Sequence, residues 1–104
     1  MIIVLATVES TAEDIDALRE AIIAMEAASL KEQGNIAYSF GQQISNPHVL
    51  KISECWESLE DLANHFKTPD MAAFNQAMMN NPPKSVVANA YDVANEVEIP
   101  MPTA

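Results

Sequence analysis

The sequence predicts an α+β domain of ferredoxin-like type, β-α-β-β-α-β, with a four-stranded antiparallel sheet. Three observations lead there. Residues 2–8, 35–43 and 48–57 have the β-branched or alternating character of strands. Stripes at helical spacing follow the first and third of them. Finally, 104 residues with 49% apolar content and a single cysteine suffice for one core and rule out a disulfide framework.

Each element has its own signals. Residues 2–8 form an apolar run that fits a strand buried on both faces. Ser10-Thr11-Ala12-Glu13 reads as a capping box, with Asp14 and Asp16 near the positive end of the helix dipole. Ile15, Leu18, Ile22 and Met25 repeat at helical spacing, Ile23 and Leu30 widen the stripe, and the helix is expected to reach about Glu32. Gly34 suits the left-handed position that follows a helix end. In residues 35–43, Ile36, Tyr38 and Phe40 share one face and Ala37, Ser39 and Gly41 the other. Ser45-Asn46-Pro47 turns the chain into the strand at 48–57. Ser58 caps a short helix, with Asp61 at the reciprocal position and Leu59, Leu62, Ala63 and Phe66 as the apolar face. Thr68-Pro69-Asp70 interrupts it. A further helix carries Met71, Phe74 and Met78 and ends at Asn80-Asn81-Pro82-Pro83. Residues 86–97 read as the last strand, so 1–98 form the domain and 99–104, with Pro100 and Pro102, a short tail.

Right-handed crossovers put both helical regions on one sheet face. The opposite face stays bare, and an apolar bare face is a sticky patch in water, so a homodimer is expected to cover it. With 15 acidic against five basic residues and a net charge of −10, nucleic acid and anionic membrane surfaces are unsuitable partners. No apolar run approaches the ~20 residues of a membrane span. Residues 1–8 lack the flanks of a signal peptide, and the lone Cys55 fits a reducing, cytoplasmic setting.

The pleat of residues 48–57 puts Glu54 on one face with Leu50, Ile52 and Trp56. In a dry pocket beside an indole, that carboxyl becomes a proton acceptor or hydrogen-bond anchor. Otherwise Glu54 reaches water or pairs with Lys51 or Arg19. His65, at the margin of the Leu59–Leu62–Phe66 stripe, is the side chain best suited to exchange a proton near neutrality, though such a histidine is also an ordinary surface residue. His48, beside a turn proline, reads as solvated. Neither histidine has a second ligand at i+3 or i+4, so no metal is expected. Tyr38, Phe40, Trp56, Phe66, Met71, Phe74 and Met78 are core residues or the lining of a pocket for a flat ligand, with Trp56 and Phe74 as walls. Cys55 has no basic neighbour to activate it.

Glu54-Cys55-Trp56-Glu57-Ser58, followed by Leu62, His65, Thr68-Pro69, Met71 and Phe74, resembles the antibiotic biosynthesis monooxygenase domain family and its quinol monooxygenase branch. Glu32-Gln33-Gly34-Asn35 with Tyr38 and Phe40 is similar to that family's approach to its second strand. The resemblance spans nearly the whole chain. It implies a dimeric α+β barrel that oxidises a quinol or polycyclic phenol with dioxygen and without a cofactor, because a deprotonated phenol can itself pass an electron to oxygen. On that basis His65 hydrogen-bonds or deprotonates the phenol, Trp56 stacks on it and Glu54 orients a neighbour, with Tyr38, Phe40, Phe66, Met71 and Phe74 binding substrate. This chain departs from the pattern at Asp70, where many members carry histidine, and Thr7, Asn75 and Gln76 stand where haem-degrading relatives need asparagine and histidine. The alternatives are an isomerase of a small carbonyl compound, phosphorylated or not, with Lys67 and Lys84 near the pocket mouth, and a non-catalytic dimeric binding or stress protein.

Overall fold

The computed structural model describes residues 1–102, so the end of the 99–104 tail lies outside the described residues. The elements are β1 (Ile2–Glu9), α1 (Ala12–Ala17), α2 (Arg19–Ser29), β2 (Asn35–Gln42), β3 (Val49–Trp56), α3 (Leu59–His65), α4 (Pro69–Asn80) and β4 (Ser85–Asp92). The strands pair antiparallel in the order β2-β3-β1-β4, giving the ferredoxin-like α+β fold that the sequence predicts.

Register explains the core. Ile2, Val4, Ala6 and Val8 of β1 lie opposite Trp56, Glu54, Ile52 and Leu50 of β3. Tyr38 and Phe40 of β2 in turn face Glu54 and Ile52. Because side chains alternate along a strand, all of these residues share the helix-covered face. Met25, Leu62 and Phe74 pack on the Trp56 end of that face, and Ile15 on the Leu50 end. Each fully buried large apolar side chain stabilises by about 1.5–3 kcal/mol. The other face carries Ile3, Leu5 and Thr7, with Cys55 and Tyr91, Ser53 and Asn89, and Lys51 and Val87 alongside them. Leu5, Val87 and Tyr91 are at least half exposed there, so β1 is buried on one face within a chain, not on both.

Several expected boundaries move, each for a local reason. Thr11, not Ser10, caps α1, its hydroxyl accepting from the Asp14 amide at 3.1 Å. Ser10 still belongs to the sheet end, since its amide donates to the His48 carbonyl at 2.8 Å. His48 Nδ1 in turn accepts from the Ala12 amide at 3.1 Å, which adds a partner for a free donor of the first turn. The helical run loosens at Leu18 and α2 ends at Ser29, short of the expected Glu32. Beyond Leu30 the amides of Lys31 and Glu32 bond three residues back, tightening the last turn before Gly34 at φ +80°.

A bulge between Asn35 and Ala37 takes Ile36 out of the face shared by Tyr38 and Phe40. The last strand stops at Asp92 instead of Val97. Its partner β1 runs out there, and the final rung is the Val93 amide to the Met1 carbonyl at 2.8 Å. In seven-residue α3, one line at i, i+3 reaches the sheet: Leu62 and His65 are buried, whereas Leu59 and Phe66 are exposed. From α2, Glu26 reaches down to accept the Phe40 amide at 2.9 Å.

Candidate active site

Residues Glu54 and Trp56, two apart on β3, point to the same side, and the indole Nε1 donates to Glu54 Oε1 at 3.0 Å. His65 is brought over them by α3. Its ring centroid lies 4.8 Å from that of Trp56, with 43° between the planes, and 5.3 Å from Tyr38. Trp56 is 0% and His65 1% exposed. His65 therefore sits inside the core and not at a helix margin.

The remaining member comes from the tightened turn after α2. Glu32 sets both carboxylate oxygens against His65 Nδ1, at 3.0 and 3.1 Å. A carboxylate accepts and does not donate, so a neutral His65 carries its proton on Nδ1 and presents a lone pair at Nε2. That Nε2 is buried and, among the described residues, has no hydrogen-bond partner.

Gly34 lets this turn approach α3 closely. A methyl there would overlap the Asp61 carboxylate and stand 2.7 Å from Asp61 Cβ. Asp61 is itself fixed, because Ser58 Oγ donates to its carboxylate at 2.9 Å and accepts from its amide at 3.1 Å. The Glu57 amide donates to the Gly34 carbonyl at 2.8 Å, which ties the turn to the end of β3.

Burial pushes the Glu54 carboxyl above its ordinary range, opposed by the Trp56 N–H and by His65. Burial, with Glu54 second, pushes the Tyr38 hydroxyl up strongly. A carboxylate-anchored imidazole with a free Nε2, an aromatic wall and a reluctant second carboxyl can accept a proton from a weak acid. Among the described residues no three His, Cys, Asp or Glu side chains gather as a metal-binding group.

Of the other residues singled out in the sequence, Phe40 stands 5.6 Å from Tyr38 and 5.5 Å from Phe74, both buried. Met71 packs on the same cluster. Phe66 differs: 57% exposed, it lies edge-on against His65 at 5.4 Å and covers it from outside. Trp56 and Phe74 do not wall an open chamber, because close packing fills the space that the sequence reading reserved for a ligand. The main clefts among the described residues open elsewhere, and Trp56, His65 and Glu54 line none of them. One of about 200 Å3, between the helices and β2, includes Phe40 with Ile15, Arg19, Ile22 and Leu50.

Sequence reasoning gave Glu32 no role toward His65. Its signals were a carboxylate two residues before a glycine at a helix end and its place in the Glu32-Gln33-Gly34-Asn35 stretch that resembles the family. Nor was there a signal for Ser29, which is fully buried with an unpartnered hydroxyl.

Similarity to known proteins agrees with this architecture. The family model described as antibiotic biosynthesis monooxygenase matches residues 1–77. A candidate antibiotic biosynthesis monooxygenase of Deinococcus radiodurans superposes with a TM-score of 0.88 at 23% identity, covering 95% of this chain and 98% of its own. One from Caulobacter crescentus gives 0.82 at 21% identity, over 90% of each chain. The Mycobacterium tuberculosis protein Rv0793 gives 0.81 at 18% identity, over 93% of this chain and 98% of its own. No curated protein matches. At these identities the structures establish the shared fold, and the family match over most of the sequence establishes kinship: the chain belongs to the antibiotic biosynthesis monooxygenase family.

Proposed function

We propose that the protein is a cofactor-independent monooxygenase that oxidises a quinol or polycyclic phenol with dioxygen, as a cytoplasmic homodimer. The observation that carries this reading is the buried His65, anchored at Nδ1 by Glu32 and unpartnered at Nε2. A phenol hydroxyl donates to Nε2 and passes its proton there. The phenolate, rich in electrons, then reduces dioxygen directly. For a hydroquinone, one oxygen atom enters a ring carbon and the other leaves as water; the ring supplies all four electrons and ends as a hydroxyquinone. Trp56, packed against His65, is the ring on which the substrate would stack once that packing opens, and Glu54 holds the indole by its N–H. Tyr38, Phe40, Met71 and Phe74 supply the apolar surroundings. Phe66, the exposed ring against His65, is the side chain whose displacement would admit the ligand. The half-exposed Leu5, Val87 and Tyr91 on the open sheet face support the paired state. No helix among the described residues is long and apolar enough to cross a membrane.

The tight Trp56–His65 contact favours a second reading, in which the same fold serves as a non-catalytic dimeric binding protein. Oxygen uptake with a panel of hydroquinones and polycyclic phenols separates the two. The proposal expects one dioxygen consumed per product, and a folded His65→Gln variant with turnover lowered by at least tenfold. No uptake with any member of the panel, or unchanged turnover in His65→Gln, would falsify it. An isomerase would convert its substrate without consuming oxygen.

A further inference from the structure

We propose that Glu32 is a positioning residue: by holding the Nδ1 proton of His65 it makes Nε2 an acceptor, so the site takes a neutral hydroxyl donor and rejects an anion. The proposal rests on the reading of His65 as the substrate-facing base, and it narrows the substrate to the un-ionised form of a weak acid.

Three features carry it. The first is chemical: an imidazole whose Nδ1 is hydrogen-bonded to a carboxylate has one ring nitrogen left, and that nitrogen is buried with nothing donating to it. A ligand O–H supplies the missing donor, whereas a carboxylate or phosphate oxygen would set lone pair against lone pair.

The second is electrostatic. Two carboxylates, Glu32 and Glu54, stand around His65. Among the described residues no lysine or arginine side chain bonds to His65, Glu32 or Glu54: Arg19 pairs with Asp16 at 3.0 Å, Lys51 donates to Thr7 at 2.9 Å on the opposite sheet face, and Lys31 and Lys67, the cations next in sequence to Glu32 and His65, are exposed. A third negative charge would therefore be repelled in a poorly solvated place. Proton transfer from a neutral ligand instead creates an imidazolium next to two anions, which stabilises it.

The third is mechanical. Glu32 is held on both sides, with its amide bonded to the Ser29 carbonyl at 3.1 Å and its carbonyl to the Asn35 amide at 3.2 Å. Two residues on, Gly34 fits against Asp61 where any side chain would collide. A turn so fixed holds its carboxylate in one orientation, as a positioning group requires.

Two measurements test the proposal without relying on turnover. Nitrogen-15 shifts of His65, recorded at alkaline pH where imidazole is neutral, should report the Nδ1–H form in the parent, a mixture of both forms in Glu32→Ala, and a return toward Nδ1–H in Glu32→Gln. Calorimetric titration of the intact protein with 2-naphthol and with 2-naphthoate should give at least tenfold tighter binding of the naphthol, with the ratio shrinking in Glu32→Ala. An unchanged tautomer in Glu32→Ala overturns the proposal. So does binding of neither probe, or of both alike, by the parent protein, which needs no variant to fold. If both measurements come out as expected while no phenol consumes oxygen, the positioning role stands and the monooxygenase reading fails.

Discussion

The Gly34→Ala substitution probes the turn that carries Glu32. Its backbone sits at φ +80°, where an alanine costs about 1–2 kcal/mol relative to the right-handed region. The new methyl also meets Asp61, and not only its mobile end, because the Asp61 Cβ stands 2.7 Å away. Asp61 must retreat, and with it goes the reciprocal Ser58–Asp61 cap of α3, a further ~1 kcal/mol. Reduced freedom of the unfolded chain returns roughly 0.4–1 kcal/mol. The net loss is about 2 kcal/mol, which for a domain of this size lowers Tm by roughly 8–16 °C. Thermal unfolding followed by circular dichroism, at one fixed protein concentration, measures it. The double variant Gly34→Ala/Asp61→Gly removes the collision, Cβ included, so it should be less destabilised than the separate effects added together, with a coupling of at least ~0.5 kcal/mol. A Gly34→Ala protein within ~0.5 kcal/mol of the parent, or strict additivity in the double variant, would refute the steric argument.

Other predictions follow from the same geometry. Trp56→Phe keeps an aromatic ring but leaves the Glu54 carboxylate without its donor, and should lower stability by about 1–3 kcal/mol at neutral pH and by less in acid; urea midpoints at two pH values check this, and a loss independent of pH contradicts it. The Glu54 carboxyl is raised above its ordinary 4.5, so the folded protein holds that proton more tightly than the unfolded chain. The associated stability is full below 4.5 and is lost as pH rises through the raised value. Denaturation at a series of pH values should therefore show the parent losing stability with rising pH relative to Glu54→Gln, and a flat or reversed difference speaks against the buried carboxyl. Leu5→Glu puts a charge on the open sheet face, and sedimentation should find the proposed dimer in the parent and a folded monomer in the variant; an unaltered sedimentation coefficient removes that face from the interface.

Element types were readable because each rested on a period. The two-residue alternation that predicted Leu50, Ile52, Glu54 and Trp56 on one face is the register the strands adopt. What was hidden depends on partners far along the chain. The strand after Ser85 reads as continuing to Val97, yet it has no rung beyond Met1, and Val97 ends 79% exposed. Ile36 fits its alternation and is displaced by a bulge that no residue nearby announces. Within the site, the Glu54–Trp56 pair followed from spacing alone, whereas Glu32 lies 33 residues from His65 and meets it through a turn whose shape Gly34 decides. The margin of an apolar stripe suggested a half-wet His65, but a seven-residue helix presents a single line inward, and the histidine is on it.

The Glu26 carboxylate on the Phe40 amide bears on colloidal behaviour. Strand β2 flanks the sheet, and an uncovered flank invites a foreign strand to add to it. There a carboxylate already occupies one outward amide and sets a negative charge in the path of any newcomer. At the far flank, no side chain among the described residues bonds to a β4 amide, and all eight β4 residues are solvent-accessible. Misassembly under stress is therefore directed to the β4 flank, and a lysine or proline introduced there would suppress fibre growth more than the same change in β2.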